Sequence, residues 1–499
     1  MSFCLLLLLN LLLYLLPSFL HAMHVVETSP NTSSSSVRGG VNSNTPKAWM
    51  VPKDVKFSTL DKLKLLPIES LDNNDDDNYQ RKKASSEPKV LIATKAVGLN
   101  FADIFTVLGL YSAANEVRNH SKDENNNKVK RRRKNRKELS PFIPGLEFSG
   151  IVLEDQTGQY KKGDKVLGFS RFGAYSDIVQ VPPAFLKKLP SHWTFPQGAS
   201  FIVQALTAWH GLVEIGRMPL LTENEIKTKD RPYVVIVHSA AGGVGLWAAE
   251  IAARRGAIVI GIVGNHAKKE VFYNRIKEFS PLSRSMIRGQ ERDFGIRLAQ
   301  MLHNVHSSYN NDEDNNSVLE QGTFDNDLKK IAKNGYGADI VMESLGGQYF
   351  QNSFDSLNSG GALVTFGSTS YVSPGLGLNL FRLMYRYVTR PKIDPGDLTS
   401  RNIRLCGFNL IYLTESQVEL RRQLNECIAC LSGITSSKGK MSQDSFILDD
   451  DDIPLDNVTP PMIGNVFDFR MEAVNAMEKL KGGSTVGKVV LDNSNNPCQ

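Results

Sequence analysis

The chain has 499 residues, more than one typical hydrophobic core holds, so its length favours two domains with extensions. Its apolar share of 41% and charged share of 22% are ordinary for a soluble globular protein. The net charge of +6 depends on one basic run at 128–137, without which the chain would be close to neutral, so the charge does not indicate a nucleic-acid-binding fold.

The five cysteines are too few and too scattered for a small disulfide-stapled secreted domain. Cys427 and Cys430 lie in a helix-like segment, where residues three apart share a face, so we interpret both as core residues. Redox or metal chemistry is the alternative, but no second Cys or His pair follows at zinc-like spacing.

Residues 1–22 are mainly apolar and end in small residues that suit cleavage, which predicts a secretory signal peptide. A membrane anchor is the alternative, because the stretch is near the minimum spanning length. Residues 23–47 are rich in Ser and Asn, as in a linker or an organelle transit segment. We therefore expect entry into the secretory route, with delivery to a plastid or association with a membrane through the N-terminal segment.

Residues 48–190 predict a β-rich domain with short strands between Gly and Pro turns, such as "PGLEFSGIVLED" and "YKKGDKVLGFS". Residues 112–140 show no apolar period and contain the basic run, which predicts a disordered surface insertion. A nuclear-localisation or nucleic-acid-binding role is the alternative. We expect no nucleic-acid partner, because the run contains no aromatic residue to stack on bases.

Residues 191–415 predict a second domain, because from 234 onward buried-type strands alternate with helices, which indicates βαβ units and a parallel sheet. Residues 416–492 end in a strand, a helix and a closing strand, and we expect them to return to the first domain. Two stretches low in apolar residues, 304–326 and 433–457, predict further insertions, and we expect the second to be disordered.

The stretch "VVIVHSAAGGVGLWAAE" at 234–250 places a glycine-rich turn between a strand and a helix. Its spacing is that of G-x-G-x-x-G with alanine first, a pattern that binds the pyrophosphate of a dinucleotide at the helix start. A plain strand-to-helix turn is the alternative. The residues predicted to bind the cofactor here are Ala240, Ala241, Gly242, Gly243, Val244 and Gly245.

The end of the next strand, "GIVGNHAKKE", indicates which dinucleotide binds. An NAD site places a carboxylate there for the ribose hydroxyls, but this segment has none before Glu270. Gly264 stands at the turn and Lys268 follows it, and a lysine provides a partner for a 2′-phosphate. The sequence therefore favours NADPH over NADH.

Several segments in order, including "AVGLNFADIFTVLGLY", "PFIPGLEFSGIV", "GDKVLGF" and "ALTAWHGL", resemble the medium-chain dehydrogenase/reductase superfamily. The chain is most similar to its zinc-independent quinone oxidoreductase branch, and "RPKIDPGDLTSRNIRLCGFNL" resembles the vesicle-membrane-protein-like members. The resemblance implies an α/β fold in which a GroES-like β-rich catalytic domain accompanies a Rossmann domain with a doubly wound parallel sheet.

Catalytic zinc is not expected. The zinc enzymes of this superfamily have Gly-His-Glu where this chain has Gly145-Leu146-Glu147, and no cysteine lies between Cys4 and Cys406. The resemblance implies metal-free, NADPH-dependent hydride transfer to a small hydrophobic quinone or α,β-unsaturated carbonyl (an enone or enal). A catalytically weak NADPH-binding scaffold, or a vesicle- or membrane-associated interaction protein, is the alternative. A homodimer is a further expectation.

The resemblance also assigns roles to single residues. Asn100 and Tyr111 match the catalytic positions, with Tyr111 a hydrogen-bond or proton donor to the substrate. Phe105 and Val107 depart from the tyrosine and arginine found in many family members, which alters the polar contacts to the substrate. Further cofactor contacts are assigned to Thr207, Gly367, Ser368, Phe408, Asn409 and Lys488.

Overall fold

The computed structural model describes residues 45–51, 59–68, 88–120, 142–228, 230–310, 327–372, 375–434, 453–496 and 498. The predicted signal peptide or anchor, nearly all of the Ser-rich segment, the basic run and most of the insertion 433–457 lie outside these residues. Within the described part, no helix combines the length and apolarity needed to span a bilayer.

The first sheet joins strands from both ends of the chain. A short antiparallel pair, β1 (Lys47–Met50) and β2 (Lys64–Pro67), precedes it. Its strands are β3 (Val90–Gly98), β4 (Glu147–Asp155), β5 (Lys165–Phe169), β6 (Ile178–Val181), β7 (Leu186–Lys188), β14 (Ile463–Asp468) and β15 (Lys488–Asp492). They run in the order β14-β15-β3-β4-β5-β7, with β6 also pairing β3. The closing strand β15 is thus antiparallel to β3 inside this sheet.

The second sheet is parallel throughout. Its strands are β8 (Val234–His238), β9 (Ile258–Val263), β10 (Arg284–Ile287), β11 (Ala338–Glu343), β12 (Leu357–Thr365) and β13 (Arg404–Gly407). Their order is β10-β9-β8-β11-β12-β13, which is 3-2-1-4-5-6 counted from β8. This arrangement confirms the predicted doubly wound parallel sheet and places its switch point between β8 and β11.

Helices flank both faces of the parallel sheet. The helices of the described part are α1 (Phe101–Val107), α2 (Ser112–His120), α3 (Phe195–Gly198), α4 (Ile202–Trp209), α5 (Glu223–Thr228), α6 (Gly243–Arg254), α7 (His266–Ile276), α8 (Glu291–Asn310), α9 (Asp327–Lys333), α10 (Gln348–Asp355), α11 (Leu380–Val388), α12 (Pro395–Arg401), α13 (Gln417–Ser432) and α14 (Ala473–Lys481). Alternate residues of β8 point to opposite faces. Val235 belongs to the core that contains Trp247 of α6, whereas Ile236 belongs to the core that contains Phe294 of α8.

The structure corrects the start of the predicted insertion 112–140, since its first nine residues form helix α2. Two small apolar residues, Ala113 and Ala114, are buried, and Asn115 N–H donates to the Tyr111 carbonyl. A polar helix with such a narrow apolar side has too weak a period to be read from sequence. Helix α8 likewise extends to Asn310, inside the low-apolar stretch 304–326.

Helix α13 carries the two neighbouring cysteines and packs against α4 and α6. Cys427 is fully buried and Cys430 half-buried, and both are free thiols. Burial raises the pKa of the Cys430 thiol to about 11, which disfavours the reactive thiolate. Both residues therefore pack as the core residues predicted from their spacing.

Candidate functional site

The glycine loop, residues 239–245, crosses from β8 into α6 at the carboxyl edge of the parallel sheet. Ser239 has a positive φ of 52°, and Gly242 caps the helix. A Cβ built on Gly245 would lie 2.3 Å from the Ser239 carbonyl oxygen and 2.7 Å from Ala240 Cα. Only glycine allows α6 to pack this closely on the loop, and ligands of doubly wound sheets bind at this position, next to the switch point.

The loop also contacts the last strand of the first sheet. Gly487 N–H donates to the Ala241 carbonyl over 2.9 Å, and Lys488 follows directly in β15. Ala240 and Ala241 are buried, whereas the three residues that begin the helix turn, Gly242, Gly243 and Val244, are half-buried. Helix N–H groups at such a start attract a phosphate.

Four buried polar side chains form a cluster between the two sheets: Asn100, Glu147, Gln204 and Lys488. Lys488 Nζ forms an ion pair with Glu147 Oε1 and donates to Asn100 Oδ1 over 2.9 Å. Burial lowers the pKa of Lys488, and the Glu147 carboxylate opposes that shift. Glu147 and Gln204 were not predicted from the sequence. The only sequence feature that pointed to Glu147 was its place after Leu146, in the segment that matches Gly-His-Glu of the zinc enzymes.

The amide of Asn100 is fully engaged within this polar cluster. Its Oδ1 accepts from Gln204 Nε2 over 2.6 Å as well as from Lys488. Its Nδ2 donates to Glu147 Oε1 over 3.0 Å and to the Gly98 carbonyl over 3.3 Å. A direct bond from this amide to a substrate would require one of these bonds to open. The geometry therefore gives Asn100 a positioning role, and its catalytic role stays a prediction.

Asp103 lies in the first turn of α1, and its carboxylate accepts a hydrogen bond from the Asn100 N–H over 2.8 Å. The Tyr175 hydroxyl lies 3.5 Å from the same carboxylate oxygen. Burial raises the pKa of Asp103 to about 7, which the Asn100 N–H partly counteracts. The capping box that it forms with Asn100 gives this carboxylate a structural role.

Asp103 makes stability depend on pH. Between about pH 4 and pH 7 the folded protein binds a proton that the unfolded chain has released, so the free energy of unfolding falls as the pH rises. Asp103→Asn keeps the acceptor but removes the titration. We expect the decline between pH 5 and pH 8 to be smaller in this variant by about 3 kcal/mol, measured by urea unfolding. A decline equal to that of the wild type would contradict the assignment.

Tyr111 lies beside Asn409. Its hydroxyl donates to Asn409 Oδ1 over 2.8 Å, and Phe172 packs edge-on at 6.2 Å between ring centroids. Burial raises the pKa of Tyr111 to about 12, so the hydroxyl keeps its proton at neutral pH. Phe408, next to Asn409, contacts His210 at 4.9 Å between centroids. The Tyr111 proton points at Asn409 Oδ1, so its donation to a substrate requires this bond to open.

The predicted cofactor contacts Thr207, Gly367 and Ser368 lie in different surroundings. The Thr207 hydroxyl donates to the Val203 carbonyl within its own helix over 2.6 Å. Gly367 and Ser368 follow β12 beside Ser344, whose hydroxyl lies 3.4 Å from that of Ser239 in the glycine loop. Gly367 and Ser368 therefore share the carboxyl edge with the glycine loop, while Thr207 forms its bond inside α4.

Lys268 is half-buried over Gly264 and donates to the Gly483 carbonyl over 3.0 Å. Burial lowers the pKa of Lys268, and the nearby positive charge of Arg288 lowers it further. Arg288 follows β10 and donates its N–H to the Val263 carbonyl at the end of β9 over 2.7 Å. Arg288 was not predicted from the sequence, because the end of β9, which it contacts, lies two elements earlier in the chain.

Leu146, which stands where the zinc enzymes have histidine, is buried in the core of the first sheet. Across the described residues, no three His, Cys, Asp or Glu side chains are grouped closely enough to hold a metal ion.

Comparisons with known proteins agree with this architecture. Residues 86–191 match the alcohol dehydrogenase GroES-like domain. The synaptic vesicle membrane protein VAT-1 homolog of Mus musculus is 24% identical over 425 residues, which cover 83% of this chain and 80% of that protein. A probable quinone oxidoreductase of Schizosaccharomyces pombe is 25% identical over 307 residues, 61% of this chain and 70% of that protein.

Solved structures share the fold. The human synaptic vesicle membrane protein VAT-1 homolog-like protein superposes with a TM-score of 0.52 at 20% identity, covering 90% of this chain and 98% of that one. A mycobacterial protein complexed with NADPH gives 0.54 at 20% identity, with coverage of 90% and 100%. Residues 86–191 thus match a GroES-like domain, and the chain is similar in sequence to VAT-1 homologs and to a quinone oxidoreductase and shares the fold of such proteins.

Proposed function

We propose that the protein is an NADPH-dependent oxidoreductase that reduces a small hydrophobic quinone or α,β-unsaturated carbonyl without a metal. The observation that carries the proposal is the glycine loop at the switch point, packed so tightly at Gly245 that a single Cβ would collide with its backbone. The quinone oxidoreductase and enoyl reductase structures among its relatives support the same class of reaction.

Residues at the carboxyl edge of the parallel sheet fit both the pyrophosphate and the 2′-phosphate of NADPH. The glycine loop supplies helix N–H groups to a pyrophosphate, and Lys268 with Arg288 supplies positive charge at the ends of β9 and β10 for a 2′-phosphate. When bound, NADPH supplies a hydride to the electrophilic carbon of the substrate.

The remaining steps belong to the chain itself. Tyr111 holds a proton at its hydroxyl oxygen, bonded to Asn409 Oδ1, and passes it to the substrate when that bond opens. Lys488, Glu147 and Asn100 position β15 against the glycine loop, since Gly487 bonds to Ala241 directly before Lys488. Phe172 and Phe408 provide apolar surface that excludes water from the site.

The test is oxidation of NADPH by the purified protein with a panel of quinones, enones and enals. We expect turnover with at least one class of acceptor, and Tyr111→Phe should lower kcat while leaving NADPH affinity unchanged. NADPH binding without consumption by any acceptor would favour the weak scaffold. Absence of NADPH binding would contradict the cofactor assignment as well.

The preference for NADPH depends on Lys268. Lys268→Ala removes a cation close to Arg288, so we expect NADPH affinity to fall by about tenfold, a loss of about 1.4 kcal/mol, while NADH affinity stays unchanged. Fluorescence titration with both nucleotides measures the two dissociation constants. The exposed lysine of the Asp164 ion pair gives the control variant Lys188→Ala. An equal loss for both nucleotides would contradict a 2′-phosphate contact.

A further inference from the structure

Arg171 brings a positive charge close to the hydroxyl of Tyr111. It precedes Phe172, whose ring packs edge-on against the Tyr111 ring at 6.2 Å between centroids. Both residues lie in the loop that follows β5, and the Ser170 N–H fixes the start of that loop by donating to the Leu146 carbonyl over 2.7 Å. The main chain therefore holds the arginine beside the pocket of Tyr111.

One short helical turn, Leu410–Glu415, contacts both the tyrosine and the arginine. Asn409 at its start accepts the hydrogen bond of the Tyr111 hydroxyl. Glu415 at its end forms an ion pair with Arg171 Nη2 over 3.3 Å, and the two side chains are 57% and 38% exposed, so the pair contributes little to stability. Arg171 Nε is shielded from solvent and has no hydrogen-bond partner among the described residues. The turn thus orients the hydroxyl and holds a cation that stability alone does not explain.

Several groups act on the ionisation of Tyr111. Burial raises the pKa of its hydroxyl to about 12, and the hydrogen bond to Asn409 counteracts that rise. The Asp103 carboxylate and the Tyr412 hydroxyl raise the pKa further, whereas the Arg171 guanidinium lowers it. A cation at this place stabilises the tyrosinate, which is the state that remains when the hydroxyl has given its proton away.

We propose that Arg171 is a positioning residue of the reaction, whose charge stabilises the tyrosinate that Tyr111 becomes when it protonates the substrate. The inference rests on the proposed reductase function and adds the group that lets so weak an acid donate. As hydride reaches the electrophilic carbon, negative charge develops on the substrate oxygen. The O–H bond of Tyr111 breaks, the proton bonds to that oxygen, and the tyrosinate takes its next proton from water. Arg171 keeps its own proton throughout.

The test reads out position 111 in the full chain without cofactor. A difluorotyrosine, which ionises at a lower pH than tyrosine, replaces Tyr111, and fluorine NMR follows its titration. We expect the pKa of this probe to rise in Arg171→Met and to stay near the wild-type value in Arg171→Lys, which keeps the charge. Arg292→Met removes the exposed partner of Asp293 and should leave the titration unchanged. An unchanged titration in Arg171→Met would overturn the proposal.

Arg171→Met also leaves the Glu415 carboxylate without its cation, and that negative charge by itself raises the pKa of the probe. The double variant Arg171→Met/Glu415→Gln removes both charges, so the rise should persist there, and its disappearance would contradict the proposal. In turnover, Arg171→Met should lower kcat about tenfold at an unchanged KM for NADPH, with the urea midpoint of the wild type. A wild-type kcat would overturn the proposal. If no acceptor consumes NADPH, the reductase proposal fails, and the titration still decides separately whether Arg171 acts on Tyr111.

Discussion

Replacing Gly245 with alanine is expected to lower NADPH affinity by about a hundredfold, equivalent to about 2.7 kcal/mol, by displacing the loop. The added methyl would lie 2.3 Å from the Ser239 carbonyl oxygen, a backbone atom that cannot rotate away as a side chain does. Elsewhere in a helix the same change stabilises by up to about 1 kcal/mol, so intrinsic propensity predicts the opposite sign. Calorimetric titration with NADPH measures the effect.

The matched control for this change is Gly396→Ala in α12. A Cβ there would first meet the Asp394 side chain at 3.3 Å, and the position lies in an exposed first turn. NADPH affinity in this variant should equal that of the wild type. Unchanged affinity in Gly245→Ala would show that the loop adapts and that close packing at α6 is not what forms the site.

The second large effect is expected from Lys488→Met. The change leaves Glu147, which is 1% exposed, buried without its cation, and it removes a donor from Asn100. Loss of one partner of a buried ion pair costs about 3–5 kcal/mol, and we expect that loss in the free energy of unfolding measured in urea.

Two further variants test whether the buried charge causes this loss. Lys488→Met/Glu147→Gln removes both charges and should recover most of the stability, because no uncompensated carboxylate remains. Lys188→Met removes a lysine that is 70% exposed in its pair with Asp164 and should cost less than about 1 kcal/mol. Equal losses in Lys488→Met and in the double variant would assign the cost to packing instead of charge.

The alternation of strands and helices and the glycine loop were accessible from sequence because their signals are local. A buried strand, three small residues and a helix at fixed spacing describe 234–250 completely, and the parallel sheet follows from the alternation of strands and helices. Because strands of a parallel sheet end at the same edge, Gly367 and the glycine loop are expected at the carboxyl edge from the sequence alone.

The polar cluster was not accessible, because its members are distant in sequence. Lys488 pairs with Glu147 across 341 positions and Gln204 bonds to Asn100 across 104, and no pattern in one sequence links such residues. Lys488 was identified only through the resemblance to a family, as a cofactor contact, and that role stays a prediction; its Nζ bonds to Glu147 and Asn100. Arg288, the second cation beside Lys268, was missed for the same reason.

The position of β15 bears on the order of folding. All six strands of the parallel sheet lie between Val234 and Gly407, so that sheet can form before the end of the chain has been synthesised. The first sheet cannot be completed by then, since β15 at Lys488–Asp492 pairs with the end of β3 at Val90–Gly98. Until β15 is available, the edge of β3 that pairs with it stays unpaired, and contacts this distant in sequence form slowly. The cluster around Lys488 can therefore be completed only after β15 has been synthesised.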